Sequence, residues 1–205
     1  MNEIILFGGG GHSYAVIELI KSLGNFNPIF VYDDQPKENT ILQIPLKKFT
    51  TECFDEKALC ISIGNNSARK AKALLFSKAN FPTFIHQNTV IYPSVSVGRG
   101  TVVMPNSVLD AQCTVGDFCI INNHATVSHQ VVLGNYVHVA INAAIAGGVS
   151  VGEGALLGAG CTILPEITIG KWATIGAGAV VTKNVPDYGV VYGNPAKLMK
   201  FSHES

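Results

Sequence analysis

From Thr89 onward, aliphatic residues recur at every sixth position through sixteen consecutive hexapeptides. The third position of each hexapeptide is Ile, Leu or Val, from Ile91 to Val181. The first position is mostly small or β-branched, and the fourth is glycine in seven of the sixteen. This period predicts short flat strands with one inward aliphatic side chain, each followed by a corner that needs positive φ or close backbone approach.

Three such hexapeptides make one triangular coil, and no insertion interrupts the sixteen. Coils stacked at the strand spacing of about 4.8 Å would form a prism roughly 25 Å tall with a continuous aliphatic core. Cys113, Cys119 and Cys161 all occupy the small first position. We therefore expect these thiols to fill the core rather than to act as nucleophiles.

Before residue 87 the pattern changes to alternating strands and helices. The segment EIILF predicts a buried strand, GGGGHS a glycine turn, and YAVIELIKSLG a helix that ends at Gly24. Strands are also predicted in PIFVY and ALCISIG, with a second helix in SARKAKALLFSKA. This alternation predicts a small Rossmann-like parallel sheet over residues 1–86, followed by a β-helix domain and tail over residues 87–205.

The carboxyl ends of the three predicted strands bring glycine and polar residues to one sheet edge. Amides at a helix N-terminus suit a diphosphate, and carboxylates suit ribose or base donors. The turn lacks the third glycine of GxGxxG, since Ser13 stands there, so alone it fits a plain tight turn equally well. A mononucleotide fits better than NAD, because half of a dinucleotide fold is missing. The predicted substrate contacts are Gly8, Gly10, Gly11, His12, Asp33, Asp34, Gly64, Asn65 and Asn66.

Composition and charge narrow the class of partner. The chain has 14 basic and 14 acidic side chains, so no overall field favours nucleic acid or an anionic membrane. No stretch reaches the roughly 18 apolar residues of a membrane helix, and the N-terminus lacks the basic region of a signal peptide. Five cysteines without CxxC spacing are typical of reduced thiols. We expect a cytoplasmic protein with a small-molecule partner.

The repeats and the closing stretch GAGAVVTKNVPDYGVVYGNPAKLMK, residues 176–200, resemble the hexapeptide-repeat acyltransferases. That resemblance implies a left-handed parallel β-helix and a homotrimer. With the N-terminal α/β region, the chain looks like the bacterial sugar acetyltransferases of UDP-N,N′-diacetylbacillosamine synthesis and the related sialic-acid O-acetyltransferases. The resemblance implies acetyl-CoA as co-substrate, no metal, a nucleotide-sugar acceptor and active sites between adjacent subunits.

The same resemblance assigns roles to residues of the β-helix. It makes His129 the general base, and it makes Gly147 a backbone donor to the acetyl carbonyl. It places His138 in the cleft shared by acceptor and cofactor. A neutral imidazole suits the proton that an amine must lose, and a fixed N–H suits a developing oxyanion. Ala146, Lys183 and Lys197 are the further expected contacts to acetyl-CoA.

One position departs from the family pattern. An acidic residue commonly follows the catalytic histidine, but Gln130 stands here. A glutamine can accept a hydrogen bond from Nδ1–H and hold the tautomer, yet it supplies no negative charge to stabilise imidazolium. We expect Gln130 to support His129 in catalysis, with a smaller base contribution than a relative with glutamate would have.

The remaining histidines have structural interpretations. His124 falls at a corner of the repeat, His86 ends the last strand before it, and His203 lies in the tail. The spacing in HATVSH also resembles the zinc-binding pair of γ-type carbonic anhydrases, although the N-terminal domain is not part of that family.

Four functions stay open at this point. The favoured one is N-acetylation of a nucleotide-linked 4-amino-4,6-dideoxy sugar, with UDP first and dTDP next. The alternative within the same chemistry is O-acetylation of sialic acid. A carbonic anhydrase-like zinc enzyme is less favoured, as is a non-catalytic sugar-binding or scaffold protein whose site has decayed at Gln130.

Overall fold

The computed structural model describes residues 1–202, so His203 lies outside the described residues. The N-terminal part is a five-stranded sheet in the order β3-β4-β2-β1-β5, with two helices. Its elements are β1 (Asn2–Phe7), α1 (Gly11–Leu23), β2 (Phe26–Asp33), β3 (Thr40–Ile41), β4 (Ile44–Lys48), β5 (Leu59–Ile61) and α2 (Asn66–Leu75). The pairs β1–β2, β1–β5 and β2–β4 are parallel, which confirms the predicted α/β class.

The predicted helices and central strands form where the sequence placed them. Helix α1 buries Val16, Ile17 and Ile20 and ends at Gly24, which has φ +69°. Helix α2 ends earlier than predicted, because Phe76 leaves the helix and packs beside Phe7 and Phe54 in an aromatic cluster. The chain therefore turns into the core three residues before the polar helical pattern stops.

One hairpin was not predicted from the sequence. Strands β3 and β4 pair antiparallel across a two-residue loop, Leu42–Gln43. Both loop residues have positive φ, 47° and 67°, as a type I′ turn requires. Such a turn favours Asn-Gly, and Leu-Gln carries no comparable signal in the sequence.

The second part is a parallel β-helix with three walls, in which each strand pairs with the strand eighteen residues away. The first wall contains β7 (Val90–Ile91), β10 (Val108–Leu109), β13 (Thr126–Val127), β16 (Ala144–Ile145), β19 (Thr162–Ile163) and β22 (Val180–Val181). The second contains β8 (Ser96–Val97), β11 (Thr114–Val115), β14 (Val132–Leu133), β17 (Ser150–Val151) and β20 (Thr168–Ile169). The third contains β6 (Phe84–Ile85), β9 (Val102–Val103), β12 (Ile120–Ile121), β15 (His138–Val139), β18 (Leu156–Leu157), β21 (Thr174–Ile175), β23 (Gly189–Tyr192) and the antiparallel β24 (Lys197–Phe201).

The core of the prism follows the predicted period. Third-position aliphatics from Val103 to Val181 are buried in one continuous cluster, and Cys113, Cys119 and Cys161 fill it from the first position. Burial raises the pKa of the Cys119 thiol to about 12 and those of Cys113 and Cys161 to about 11. These cysteines therefore stay protonated at neutral pH and serve as packing.

The two ways of turning a corner fall at two different positions of the hexapeptide. The fourth-position glycines allow close approach: a Cβ on Gly152 would lie 2.6 Å from the backbone N of Lys171. Positive φ belongs to the sixth position instead, as at Phe118, Gln130 and Tyr136, with φ from 54° to 61°.

The two parts share a hydrophobic junction, and the first solenoid strand, β6, begins before the expected boundary at residue 87. Val102 and Ile120 of the third wall lie in the same buried cluster as Ile17 of α1. Nearby, the rings of Phe118 and Tyr136 stack at a centroid distance of 5.4 Å. The sheet edge that carries the predicted ligand residues is thereby held against the third wall. None of the helices within residues 1–202 is long and apolar enough to cross a membrane.

Candidate active site

A cavity of about 920 Å³ lies between α2 and the third wall of the β-helix. His138, on β15, lines it, and His12 faces His138 with ring centroids 6.4 Å apart. The two histidines are 126 positions apart in sequence, and the glycine turn and the β-helix wall bring them together. The lining also includes Gly64, Asn65, Asn66, Ser67, Lys70, Ala71, Leu74, Gly154, Leu156, Trp172, Thr174, Tyr188 and Ser202.

Both imidazoles are kept neutral by their surroundings. Burial first, and then the positive charge of Arg69, lower the pKa of His12 to about 4. The pKa of His138 falls to about 4 for the same two reasons, with His12 adding to the effect and a hydrogen bond to the Gly64 backbone opposing it. His138 Nε2 lies 3.5 Å from Asn122 Nδ2, whereas the buried Nε2 of His12 has no hydrogen-bond partner within residues 1–202.

A second cavity, of about 310 Å³, lies at the glycine turn. Gly10 and Gly11 line it, and nothing stands within 4 Å of a Cβ added at either residue, so the backbone there is open to a ligand. The Asp33 carboxylate shapes this turn, since Oδ2 accepts from Gly9 N at 2.7 Å and Oδ1 accepts from Gln35 N at 2.8 Å. Gly8 lies behind the turn with φ +113°, and its carbonyl accepts from Ser62.

Three of the predicted contact residues already have partners in the structure. Asp34 forms an ion pair with Lys72 at 2.8 Å, on the surface. Asn65 caps α2 by accepting from Ala68 N at 2.9 Å. Asn66 is buried and donates to the carbonyls of Gly154 and Ala155, so its side chain joins the two parts of the fold. Asn66 therefore acts first as an interdomain bond, because its amide is satisfied before any substrate arrives.

The predicted base and its neighbours lie at a different corner of the prism. His129 is exposed where the first wall turns into the second, and its Nδ1 lies 3.4 Å from Gln130 Oε1. Gly147 lies one coil further on, and a Cβ there would be 2.3 Å from His129 Cε1 and 2.5 Å from Nε2. Within residues 1–202 no hydrogen bond uses the Gly147 N–H, so this donor is free for a ligand.

The structure therefore divides the predicted site residues into three groups. His138 and the loop from Gly64 line the larger cavity, with His12 behind them against His138, and the glycine turn with Asp33 lines the smaller one. His129, Gln130 and Gly147 line neither. Within one chain the predicted base therefore lies away from the cavities that the predicted substrate contacts line.

The remaining residues considered from the sequence lie away from both cavities. Lys183 and Lys197 are exposed, and Ala146 is half-buried beside Gly147 on the first wall. His124 is exposed at its corner with φ +58°, and His86 accepts from Asn88 N through Nδ1. Within residues 1–202 no three His, Cys, Asp or Glu side chains form a group able to hold a metal ion.

Sequence reasoning missed the residues that join the two parts. Arg69 is buried at the junction, and Lys70 lies over the rings of Tyr136 and Trp172 while pairing with Glu153. The ring of Trp172 lies over Gly154, where a Cβ would be 2.4 Å from it. The polar pattern of α2 does not show which of its charged residues is buried. The only signal in the sequence was the glycine at position 154, where the Trp172 ring leaves no space for a side chain.

Two regions of the chain match known protein families. The PglD N-terminal domain family matches residues 3–73. The bacterial transferase hexapeptide family, with six repeats, matches residues 94–129 and 148–183. The two matches fall on the α/β part and the β-helix respectively.

Individual relatives agree with these matches. UDP-N-acetylbacillosamine N-acetyltransferase of Bacillus subtilis (strain 168) is 34% identical over 112 residues, which cover 51% of this chain and 52% of that protein. The alignment thus spans about half the length of each. The acetyltransferase domain of PglB from Neisseria gonorrhoeae, in complex with acetyl coenzyme A, has a TM-score of 0.90 and 31% identity, covering 97% of this chain and 100% of that one.

A perosamine N-acetyltransferase from Caulobacter crescentus, solved with CoA and GDP-perosamine, has a TM-score of 0.92 and 32% identity over 98% of each chain. The matches and relatives together place the chain among the bacterial hexapeptide transferases. The chain belongs to the hexapeptide-repeat sugar acetyltransferases, which use acetyl-CoA.

Proposed function

We propose that the protein transfers the acetyl group of acetyl-CoA directly to the 4-amino group of a nucleotide-linked 4-amino-4,6-dideoxy sugar. His129 acts as general base, and UDP is the favoured nucleotide, with dTDP next. The name of the Bacillus subtilis relative supports a UDP sugar. The Caulobacter crescentus structure holds GDP-perosamine, so GDP-linked sugars belong in the same test.

The observation that carries this function is the position of His129 against Gly147. A proton acceptor and a free backbone N–H lie side by side on one exposed corner, as acyl transfer requires. A backbone donor of this kind contributes roughly 3 to 4 kcal/mol to catalysis in enzymes where one has been removed.

The chemistry follows from these two groups. The acceptor amine, once deprotonated, attacks the thioester carbonyl carbon, and His129 takes the proton that the nitrogen loses as the new C–N bond forms. The oxyanion faces the Gly147 N–H. Collapse of this intermediate breaks the C–S bond, and the leaving CoA thiolate takes up the proton from His129.

A second copy of the chain completes the site. The acceptor cavity lies at the third wall, whereas His129 lies at the corner between the first and second walls. When the third wall of one copy packs against the corner between the first and second walls of the next, a sugar held by the glycine turn and His138 of the first copy lies beside His129 of the second. The homotrimer that the family resemblance implies provides this arrangement.

Mass spectrometry of acceptor sugars incubated with acetyl-CoA and the enzyme tests this function. The panel comprises UDP-, dTDP- and GDP-linked 4-amino-4,6-dideoxyhexoses, sialic acid and its CMP derivative. We expect one 4-amino sugar to gain an acetyl group, and His129→Ala to abolish that gain. His124→Ala is the matched control, because His124 is also exposed at a corner.

The other outcomes separate the alternatives. Acetylation of sialic acid alone would make the protein an O-acetyltransferase. If no acceptor reacts, calorimetry with acetyl-CoA decides further: an absence of binding would favour a non-catalytic sugar-binding or scaffold protein.

A further inference from the structure

Arg69 is a buried cation without a charged partner among its hydrogen-bond acceptors. Its side chain is 1% exposed, and all five of its N–H groups donate to oxygen. Four acceptors are backbone carbonyls and the fifth is the amide oxygen of Asn66. These dipoles satisfy the guanidinium without neutralising it, so the positive charge persists at the junction.

The five bonds join the sheet edge to successive coils of the β-helix. Nη1 holds the carbonyls of Ile63 and Gly64 at 3.0 and 3.2 Å, at the loop that follows β5. Nε and Nη2 hold the carbonyls of Phe118 and Tyr136 at 2.8 Å each. Phe118 and Tyr136 are eighteen residues apart, at the same corner of adjacent coils.

Asn66 extends this attachment to a third coil. Its Oδ1 accepts from Arg69 Nη2 at 2.8 Å, while its Nδ2 donates to the carbonyl of Gly154, one coil beyond Tyr136. The start of α2 is therefore attached to three consecutive coils through two side chains. Lys70, the next residue of α2, adds an ion pair with Glu153 at the edge of the same cavity.

This attachment lies next to His12 and His138. Gly64, held by Arg69, lies beside His12 and contributes a backbone hydrogen bond to His138. His12 comes from the sheet edge and His138 from the β-helix, so their 6.4 Å separation depends on how the two parts are joined. Arg69 acts electrostatically on both rings, and His12 also acts on His138. The Lys70–Glu153 ion pair lies at the edge of the same cavity.

We propose that Arg69 is a positioning residue for the acceptor site. It locks the sheet edge onto the β-helix so that His12 and His138 face each other, and it places an unneutralised positive charge beside both rings. The neutral rings then accept hydrogen bonds from the sugar. The same charge disfavours the ammonium form of an amine bound there and so supplies the free nucleophile. This last consequence rests on the proposed function.

Two variants of Arg69 separate its charge from its hydrogen bonds. Arg69→Lys keeps the charge and loses the five-donor fork, whereas Arg69→Gln loses both. Histidine NMR titration of the ligand-free protein is the measurement, with His12→Gln and His138→Gln to assign the signals. Because burial is the larger cause of the lowered pKa values, we expect both midpoints to rise by less than about one pH unit in Arg69→Gln and to change little in Arg69→Lys.

A second pair of variants tests the charge if Arg69→Gln does not fold. Asn66→Asp places a carboxylate against the guanidinium and should raise both histidine midpoints, whereas Asn66→Ala cuts the same interdomain bond without neutralising the charge. Equal midpoints in these two variants, or wild-type midpoints in Arg69→Gln, would overturn the role assigned to the charge.

Kinetics then connect Arg69 to turnover. The acid limb of kcat, which reports loss of the proton from the bound amine, should move to higher pH in Arg69→Gln and stay in place in Arg69→Lys. Loss of kcat in both variants without a shift of this limb would mean a purely structural role. If the wild-type enzyme acetylates no amino sugar, the proposed function fails, while the titration still decides whether Arg69 acts on the histidines.

Discussion

The imidazole of His129 lies over Gly147, one coil further along the chain, at a separation that leaves no room for a side chain. A Cβ added to Gly147 would lie 2.3 Å from the ring Cε1. The backbone at Gly147 does not have positive φ, and alanine occupies the equivalent fifth position of other hexapeptides at Ala159 and Ala177. Glycine is therefore needed at position 147 to make room for the His129 ring, and not because the turn requires positive φ.

We therefore expect Gly147→Ala to cost activity and little stability. The exposed His129 ring can swing away from the new methyl group, so the folded state survives, but the base leaves its place beside the backbone donor. A loss of kcat of roughly 100-fold or more is expected, since proton transfer and oxyanion stabilisation each contribute at least that much.

Steady-state kinetics and thermal unfolding of Gly147→Ala check this together. Gly152→Ala gives the contrasting case, because its Cβ would strike the backbone of Lys171 at 2.6 Å and should lower the melting temperature. Wild-type kcat in Gly147→Ala would contradict the assigned geometry.

Gln130→Glu should increase the contribution of His129 to catalysis. With Gln130 Oε1 3.4 Å from Nδ1, a carboxylate at the same place would stabilise the imidazolium that forms during proton transfer. We expect kcat to rise by roughly tenfold or less and the acid limb of the rate profile to move to higher pH.

Gln112→Glu is the matched control for that substitution. Gln112 occupies the same corner one coil earlier, with φ +58°. Gln112→Glu therefore adds the same charge in an equivalent backbone conformation. A pH–rate profile that is unchanged in Gln130→Glu, or changed equally in Gln112→Glu, would mean that Gln130 does not act on His129.

Asp33 and Asp34 are adjacent in sequence but should differ in function. Asp33 holds the glycine turn through Gly9 N, whereas Asp34 pairs with Lys72 on the surface. Asp33→Ala should raise KM for the nucleotide sugar roughly tenfold, since a hydrogen bond to a charged group contributes about 1.5 to 3 kcal/mol.

Asp34→Ala is the control for this comparison and should leave KM close to wild type, because exposed ion pairs contribute little. Initial rates at varied sugar concentration measure both variants. The interpretation fails if Asp34→Ala raises KM as much as Asp33→Ala does.

The stability of the protein should fall as pH falls from about 6.5 towards 4. In the folded protein the pKa values of His12 and His138 are lowered to about 4, from 6.5 in an unfolded chain. The unfolded chain therefore binds protons in this window that the folded chain does not, and the stability present above pH 6.5 is lost. The expected loss is at most roughly 3 kcal/mol for each ring.

Chemical denaturation at several pH values between 4.5 and 8 measures this effect. The His12→Gln/His138→Gln double variant should have a flatter profile across the same window, since carboxylates act equally in both proteins. Parallel profiles for the two proteins would show that the buried imidazoles do not control acid stability.

The repeat and the α/β elements were predictable from local sequence, because a period of six and the alternation of strand and helix reflect side chains facing one core. The β3–β4 hairpin was not, since Leu42–Gln43 adopts a turn that other residues favour. The sixth-position corners were also missed, because residues as different as Phe118, Gln130 and Tyr136 adopt positive φ there.

The sequence by itself determined the β-helix and the sheet edge, since each depends on spacing along the chain. Tertiary structure alone decided which polar residues are satisfied internally and which face a cavity. Asn66 and Arg69 look like ordinary helical polar residues in the sequence, yet they are buried between domains. The local hydrophobic pattern indicates which way a side chain faces. Whether a charged side chain is buried depends instead on backbone carbonyls from coils that are distant in sequence.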